Sequence, residues 1–532
     1  MSKPLAAAEL IALGKEFFSM EKYKEAISSC KLALRHEKIS TMERLECWGM
    51  IAKCNIANEK YDAALWAYSQ CEQLDEFIDS HYCCDLSDLL QRVNIQDYDE
   101  QVFFVLSKML LRPDLDGQAL ADVYFKLLAK KLKIAGSDEP GWLELLRKET
   151  FSLELLNKYL IRVECLESII RKILSFLASN KNCICDASDF VFFLDIVSKQ
   201  IELSGKTYSF PKHMRLSVLP RPKPTDKTEY SDGIAFLGSS ISNSSADEKL
   251  RRFYEEYPYP LWSTIPSFKK SSLNEYFRAL GAQRTGGGNN KVLIAGCGTG
   301  RHAIQFALTH PDSKVTGIDI SFNSLRYAHE KSVKFGVRNL EFLHGNISAM
   351  PSTKKKFCLI EAVGVLHHME SPDAGLSALL DCLEEKGVMK LGLYSSAARM
   401  VRERLYNCMS LEGIEYSLEN LEKVRNLIIS RASLFPEVVS SPDFYSRQGC
   451  ADLLFNFQEV GYNFKELDSL LHRWNLEFCG FESGDVKISR LFRKFDTPTS
   501  VESLFERLSL LEQKTPSLFG EMYRFWVRRR VG

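Results

Sequence analysis

Residues 291–310, KVLIAGCGTGRHAIQFALTH, restrict the chain more than any other stretch. A short apolar run leads into a glycine turn and then an amphipathic segment with Ile304, Ala307 and Leu308 on one side. Strand, turn and helix in that order open a doubly wound sheet, and glycines there let backbone approach a ligand with no side chain between. Gly296, Gly298 and Gly300 follow G-x-G-x-G; the dinucleotide fingerprint G-x-G-x-x-G would want glycine at 301, where this chain has Arg301.

The following segments keep the pattern. A second strand, KVTGID, ends in Asp319, where an acid can accept both hydroxyls of a ribose, and Ser321 is placed to cap the helix SFNSLRYAHEKSVKFG. NLEFLHG leads to Asn346 and Ile347, KFCLIEAVGVLHHM is a fourth strand ending near Glu361, and GVMKLGLYS a fifth ending near Tyr394. Strands alternating with helices predict an α/β domain with a mainly parallel sheet and its ligand over the carboxyl ends of the strands.

Taken in order, LIAGCGTG, GIDIS, HGNI and CLIEAVGVLHHM resemble the class I S-adenosylmethionine-dependent methyltransferases over 291–395. The likeness continues more loosely through a helical insertion (397–470) to final strands at LEFCGFE and VKISRLF. It implies a Rossmann-like methyltransferase domain at 251–532 with a seven-stranded, mostly parallel sheet, a lead-in lid at 251–290, a helical tail at 497–532, and S-adenosylmethionine as cofactor. By the same resemblance Gly296, Gly298 and Gly300 line the methionine moiety, Asp319 holds the ribose, Asn346 and Ile347 meet the adenine, and Cys297, Ile320 and Glu361 complete the cofactor set.

Methyl transfer from a sulfonium is mainly a matter of placement, but a hydroxyl or carbon acid also needs a base. Glu361 and His367, with His368 beside it, are the candidates. Two positions depart from the family: Ile294 stands where an acid is usual, and Cys358 stands in the usual FD opening of strand four. The Asn-Pro-Pro-Tyr box that positions planar amide or adenine amino groups is replaced by Glu361-Ala362-Val363-Gly364, which argues against glutamine or DNA adenine as acceptor.

A narrower likeness is to bacterial proteins that join tetratricopeptide-like helices to such a domain, carried by YEEYPYPLW, AGCGTGRHA, AVGVLHH, GLYS, DLLFNFQE and MYRFW. In that group the position of Ile294 is likewise apolar. The aromatic strip YEEYPYPLW precedes the first strand, and Tyr254, Tyr257 and Trp262 are expected in the pocket lid, with Tyr394 on the substrate side and Pro258 and Pro260 fixing the path.

Ahead of the lid the chain is helical. Leu13, Gly14, Phe17, Tyr23, Ala26, Cys30 and Ala33 recur on one helix-turn-helix grid as Trp48, Ile51, Ala52, Tyr61, Ala64, Tyr68 and Cys71, giving tetratricopeptide-like repeats over 1–75. Residues 76–216 read as further helices, and the proline- and serine-rich 217–250 as a linker. The helical half is expected to engage a protein partner or substrate, so the function expected is methyl transfer to a protein or carrier-bound acceptor. The alternatives are a small-molecule methyltransferase and a non-catalytic adaptor.

Composition excludes more than it assigns. The 532 residues carry 69 basic and 69 acidic side chains, so no global field draws the protein to nucleic acid or anionic lipid, and RFWVRRRVG reads as a solvated chain end. No apolar run approaches the roughly 18 residues of a membrane helix, and charges interrupt the N-terminal apolar stretch, so a cytoplasmic protein is expected. The 15 cysteines are scattered without metal-ligand spacing, and no metal centre is expected.

Overall fold

The computed structural model describes residues 5–72, 100–110, 117–134, 233–237, 245–262, 270–279, 289–396, 399–456, 459–482, 501–515 and 522–530, together with a few isolated positions. The chain falls into two compact units, 1–219 with 263–269, and 220–262 with 270–532.

The first unit begins with two helical hairpins, α1 (Ala7–Ser19) with α2 (Tyr23–Leu34) and α3 (Thr41–Ala57) with α4 (Tyr61–Glu72). Small residues let the helices approach: a methyl group added at Gly14 would come within 3.1 Å of Cys30 Sγ, and Ala26, Cys30, Ala33 and Cys47 are all fully buried. Trp48 and Trp66 meet edge to face across α3 and α4, with ring centroids 5.3 Å apart. Helices α5 (Glu100–Met109) and α6 (Gly117–Ile134) extend the same core through Phe103, Leu106, Tyr124 and Leu128. The cysteines at 83, 84, 183 and 185, and most of 135–216, lie outside the described residues.

The second unit is an eight-stranded sheet in the order β1-β4-β3-β2-β5-β6-β8-β7, where β1 is Ile234–Phe236, β2 Lys291–Ala295, β3 Lys314–Asp319, β4 Leu340–His344, β5 Phe357–Val363, β6 Leu383–Tyr394, β7 Leu476–Phe481 and β8 Met522–Arg529. Strands β1 to β6 pair in parallel, and β8 runs antiparallel to both β6 and β7. Strands β2 and β5 are apolar nearly throughout because helices cover both faces of a parallel sheet.

Helices α7 (Ser245–Glu256) and α8 (Leu273–Ala279) lead in; α9 (Arg301–Thr309), α10 (Phe322–Lys334) and α11 (Pro372–Cys382) follow β2, β3 and β5. Between β6 and β7 come α12 (Arg399–Leu411), α13 (Leu421–Ser430), the short α14 (Pro436–Val439), α15 (Arg447–Phe455) and α16 (Phe464–Arg473), and α17 (Val501–Lys514) precedes β8.

Three expectations change. The sheet has an eighth strand, β1, which lies inside the expected linker; Ile234–Phe236 extends the β4 edge because the Leu237 N–H also donates to the His344 carbonyl. The linker therefore ends before 234 rather than at 250, and α7 belongs to the sheet-bearing unit. The tail at 497–532 is not wholly helical: α17 is followed by β8, whose alternation of buried Tyr523, Phe525 and Val527 with exposed Arg524 and Arg528 suits a sheet. The expected strand VKISRLF lies outside the described residues.

Candidate active site

The turn after β2 is a backbone cradle. Gly296, Gly298 and Gly300 have φ of +66°, +52° and +80°, a region costly for residues with a side chain. A Cβ at Gly296 would meet Val365 at 2.5 Å, and one at Gly298 the Tyr259 carbonyl oxygen at 2.8 Å. Gly300 then caps α9 in the left-handed conformation.

Beside the turn, Asp319 ends β3. Its Oδ2 accepts the Gly298 N–H at 2.7 Å and its Oδ1 the Ser321 N–H at 2.9 Å. Burial pushes its pKa up to about 6, against the stabilising backbone N–H groups. Ser321 caps α10 through the Ser324 N–H, as its position predicts.

After β4, Asn346 caps a short 3-10 turn by accepting the Ser348 N–H, and donates Nδ2 to Asp247 Oδ2 at 2.9 Å. Gly296, Gly298, Asp319, Asn346 and Asp247 line one cleft of 580 Å³, with Cys297, Ile320, Ile347, Arg301, His302, Val365, His368, Tyr394, Asp443, Asp452 and Arg524 among its walls; Gly300, expected beside the methionine moiety, caps α9 and is not among them. The volume lies within the roughly 300–1,000 Å³ of ordinary ligand sites.

The lead-in strip is sewn to the far side of this cleft. Glu255 accepts the Phe322 and Asn323 N–H groups at 2.7 and 3.0 Å, an acidic cap on α10. Tyr254 lines the cleft and donates its hydroxyl to Asp452 Oδ1 at 2.8 Å. Tyr257 and Trp262, expected in the lid wall, do not line the cleft. Tyr257 is buried with its hydroxyl accepting from Arg447, and Trp262 lies against Phe335 while its indole N–H donates to the Thr299 carbonyl. Both anchor the strip; Tyr259 and Pro260 take the lining positions, across a cis peptide bond.

Two expected catalytic residues sit elsewhere. Glu361 is not a cleft wall: it is almost wholly buried, with Oε2 accepting from His302 Nε2 at 2.7 Å, Oε1 from the Tyr276 hydroxyl at 3.1 Å, and Lys390 Nζ 3.8 Å away. Burial raises its pKa, but His302, Lys390 and Tyr276 outweigh that and hold it at about 2. His367 is fully buried behind the wall, its Nε2 3.1 Å from His368 Nε2, and burial followed by the His368 charge keeps its pKa well below the usual value. A ring held neutral by burial and out of the cleft is packing for Tyr394, whose ring centroid is 4.6 Å away.

His367, His368 and Glu459 also bring potential ligand atoms within 4.8 Å of one another, but Glu459 Oε2 is paired with Arg402 at 2.6 Å and the two imidazoles with each other.

The sequence reading missed Asp247, Tyr259, His302, Asp443 and Asp452. At the cleft wall away from the glycine turn stands a carboxylate, Asp452, on α15 of the insertion. Burial raises its pKa, opposed by the Tyr254 hydroxyl and the Asn456 amide. It also borders a second cavity of 160 Å³, which shares His368 and Tyr394 with the cleft and is walled by Val401, Leu405, Val438 and Leu454. Only the acid in DLLFNFQE, amid apolar residues, hinted at this wall of the cleft.

The basic C-terminal cluster is engaged within the fold. Arg528 forms a two-point pair with Glu477, Arg529 donates to the Leu380 carbonyl and Arg530 to that of Leu476, so the segment is a strand rather than a solvated end.

Residues 287–429 match the family model described as a methyltransferase domain. The chain thus carries a methyltransferase domain, of the type that uses S-adenosylmethionine. It is 28% identical over 249 residues to an uncharacterised protein of Synechococcus sp., covering 43% of this chain and 58% of that one. Over 118 residues it is 27% identical to the demethylmenaquinone methyltransferase of Geobacillus stearothermophilus, covering 21% and 49% of the two chains. Among solved structures, PKMT2 from Rickettsia typhi aligns with 17% identity and a TM-score of 0.38, over 50% of this chain and 54% of that one. The chain therefore spans about half the length of these relatives. Among the described residues, no helix is long and apolar enough to cross a membrane.

Proposed function

We propose that the protein transfers a methyl group from S-adenosylmethionine to a protein or carrier-bound acceptor recruited by its helical half. The observation that carries the first part is the cradle of Gly296 and Gly298 beside Asp319 in one cleft: bare backbone for a close ligand, with a carboxylate to accept hydroxyls. When bound, the cofactor supplies a sulfonium whose methyl carbon is already electrophilic. In this assignment Asp319 accepts from the ribose hydroxyls, and Asn346, held by Asp247, flanks the adenine with Ile347 and Ile320.

The chain's own contribution to the reaction is alignment and a base. Tyr254, Tyr259, His368 and Tyr394 wall the cleft and exclude water from its acceptor end. Asp452 takes a proton from an O–H or N–H acceptor at its carboxylate, and Tyr254 keeps that carboxylate in place. The second cavity, beside Asp452, receives the rest of the acceptor's reactive side chain.

The α1–α4 hairpins serve in this reading as tetratricopeptide-like repeats. Exposed Met20, Leu32, Met42 and Phe104 leave apolar surface on that unit for a macromolecular partner. Incubation with methyl-labelled cofactor and fractionated cell lysate tests the proposal: label in protein supports it, and label confined to small molecules removes the macromolecular acceptor. No thermal stabilisation by millimolar S-adenosylhomocysteine would remove the methyltransferase reading itself.

A further inference from the structure

We infer that His302, with its tautomer fixed by buried Glu361, is the residue that accepts a hydrogen bond from the α-ammonium group of the bound cofactor. The inference rests on the methyltransferase reading and deepens it.

The starting observation is a carboxylate out of sight of the ligand. Glu361 is 1% exposed, yet Lys390 Nζ at 3.8 Å and the Tyr276 hydroxyl at 3.1 Å favour its ionised form even beside a neutral imidazole. An ionised carboxylate only accepts hydrogen bonds, so the proton in its 2.7 Å contact with His302 sits on Nε2. In a neutral ring Nδ1 then carries a lone pair, and it makes no hydrogen bond to any described residue. The His302 side chain is 50% exposed and lines the cleft beside Gly296, Gly298 and Arg301, at the start of α9. The buried acid therefore presents a fixed acceptor to the cleft through the imidazole.

The position matters because β2 brings no acid to this end of the cleft. Ile294 is buried and apolar, and it is the register partner of Glu361 on the adjacent strand. The acidic function absent at Ile294 is present one strand over, relayed by His302. Of the neighbouring groups, Arg301 carries only donors, Asp319 serves the ribose hydroxyls in the proposed function, Asp247 holds Asn346, and Asp452 is paired with Tyr254. An amino-acid ammonium has three donors and needs such an acceptor, and Tyr276 and Lys390 keep the Glu361 anchor from turning.

The test separates the amino-acid end of the ligand from its nucleoside. Calorimetric titrations compare S-adenosylhomocysteine, its analogue lacking the α-amino group, and 5′-methylthioadenosine. His302→Ala should weaken S-adenosylhomocysteine at least tenfold and leave 5′-methylthioadenosine within twofold of wild type, which also shows that the variant is folded. Glu361→Gln should give the same split, because an amide can donate to the ring and move its proton to Nδ1. Removing the amino group should weaken binding to the wild type by about as much as His302→Ala weakens S-adenosylhomocysteine, with no further loss when both changes are combined. Equal losses for both nucleosides, or none for S-adenosylhomocysteine, would overturn the inference. If wild type failed to bind S-adenosylhomocysteine at all, the methyltransferase reading would fall and this inference with it.

Discussion

Asp247 and Asn346 are 99 residues apart in sequence and 2.9 Å apart in space, the carboxylate of the lead-in helix α7 accepting from the amide that follows β4. Both are buried in the wall of the cleft. Asp247→Ala leaves a buried amide without its acceptor, a loss of about 1–3 kcal/mol at that contact. The expected outcome is roughly tenfold weaker binding of S-adenosylhomocysteine and of adenosine alike, read by calorimetry, with the fold retained.

The glycine cradle is tested by Gly298→Ala. The new methyl would need to sit 2.8 Å from the Tyr259 carbonyl at a φ of +52°. Both effects act on the turn that faces the ligand, so nucleoside binding should fall by more than tenfold. Gly336→Ala serves as comparison: it also has positive φ but open space around it, so it should cost stability alone.

Acid should weaken the cofactor site through Asp319. Burial raises its pKa to about 6, so in the free protein its charge is complete above that value and is lost as pH falls through it. Affinity for S-adenosylhomocysteine should be flat above pH 7 and drop below pH 6, approaching tenfold per unit if only the carboxylate form binds. Asp319→Asn should bind weakly at every pH and lose the inflection. The sign for stability is opposite: holding this acid ionised costs the folded state, so removing it should stabilise the ligand-free protein above pH 6.

Glu361 behaves in the other direction. Its folded pKa of about 2 lies below the ordinary glutamate value, so its contribution to stability is complete above about pH 4.5 and disappears as pH falls toward 2. The shift corresponds to about 3 kcal/mol, and Glu361→Gln should flatten the acid limb of a denaturation profile over that window.

Asp452→Asn should separate chemistry from binding. Transfer of label into lysate protein should fall by about 10²–10⁴, the usual weight of a general base, with S-adenosylhomocysteine affinity within twofold of wild type. Unchanged transfer would assign Asp452 a packing role with Tyr254.

The glycine turn and Asp319 are legible in the sequence because they lie on local strand-turn-helix units, each within a few residues of a strand end. Other parts of the site depend on contacts across the chain. Tyr254 meets Asp452 over a separation of 198 residues, and Glu361 meets His302 over 59, distances at which periodicity carries no information. The burial of His367 is illegible for the same reason: a histidine at a strand end can face either way, and only the packing of Tyr394 and His368 decides. Strand β1 was hidden because three residues among proline- and serine-rich neighbours leave no usable pattern.

The placing of β8 between β6 and β7 sets the order in which the sheet can be assembled during synthesis. Strand β7 emerges first but, among the described strands, pairs only with β8. A chain released after a message truncated between codons 482 and 521 would therefore carry an open β6 edge and a loose, aromatic β7 strand, two surfaces able to pair with other chains. Messages truncated in that interval should yield aggregates or protease substrates, whereas those extending past β8 yield soluble domain.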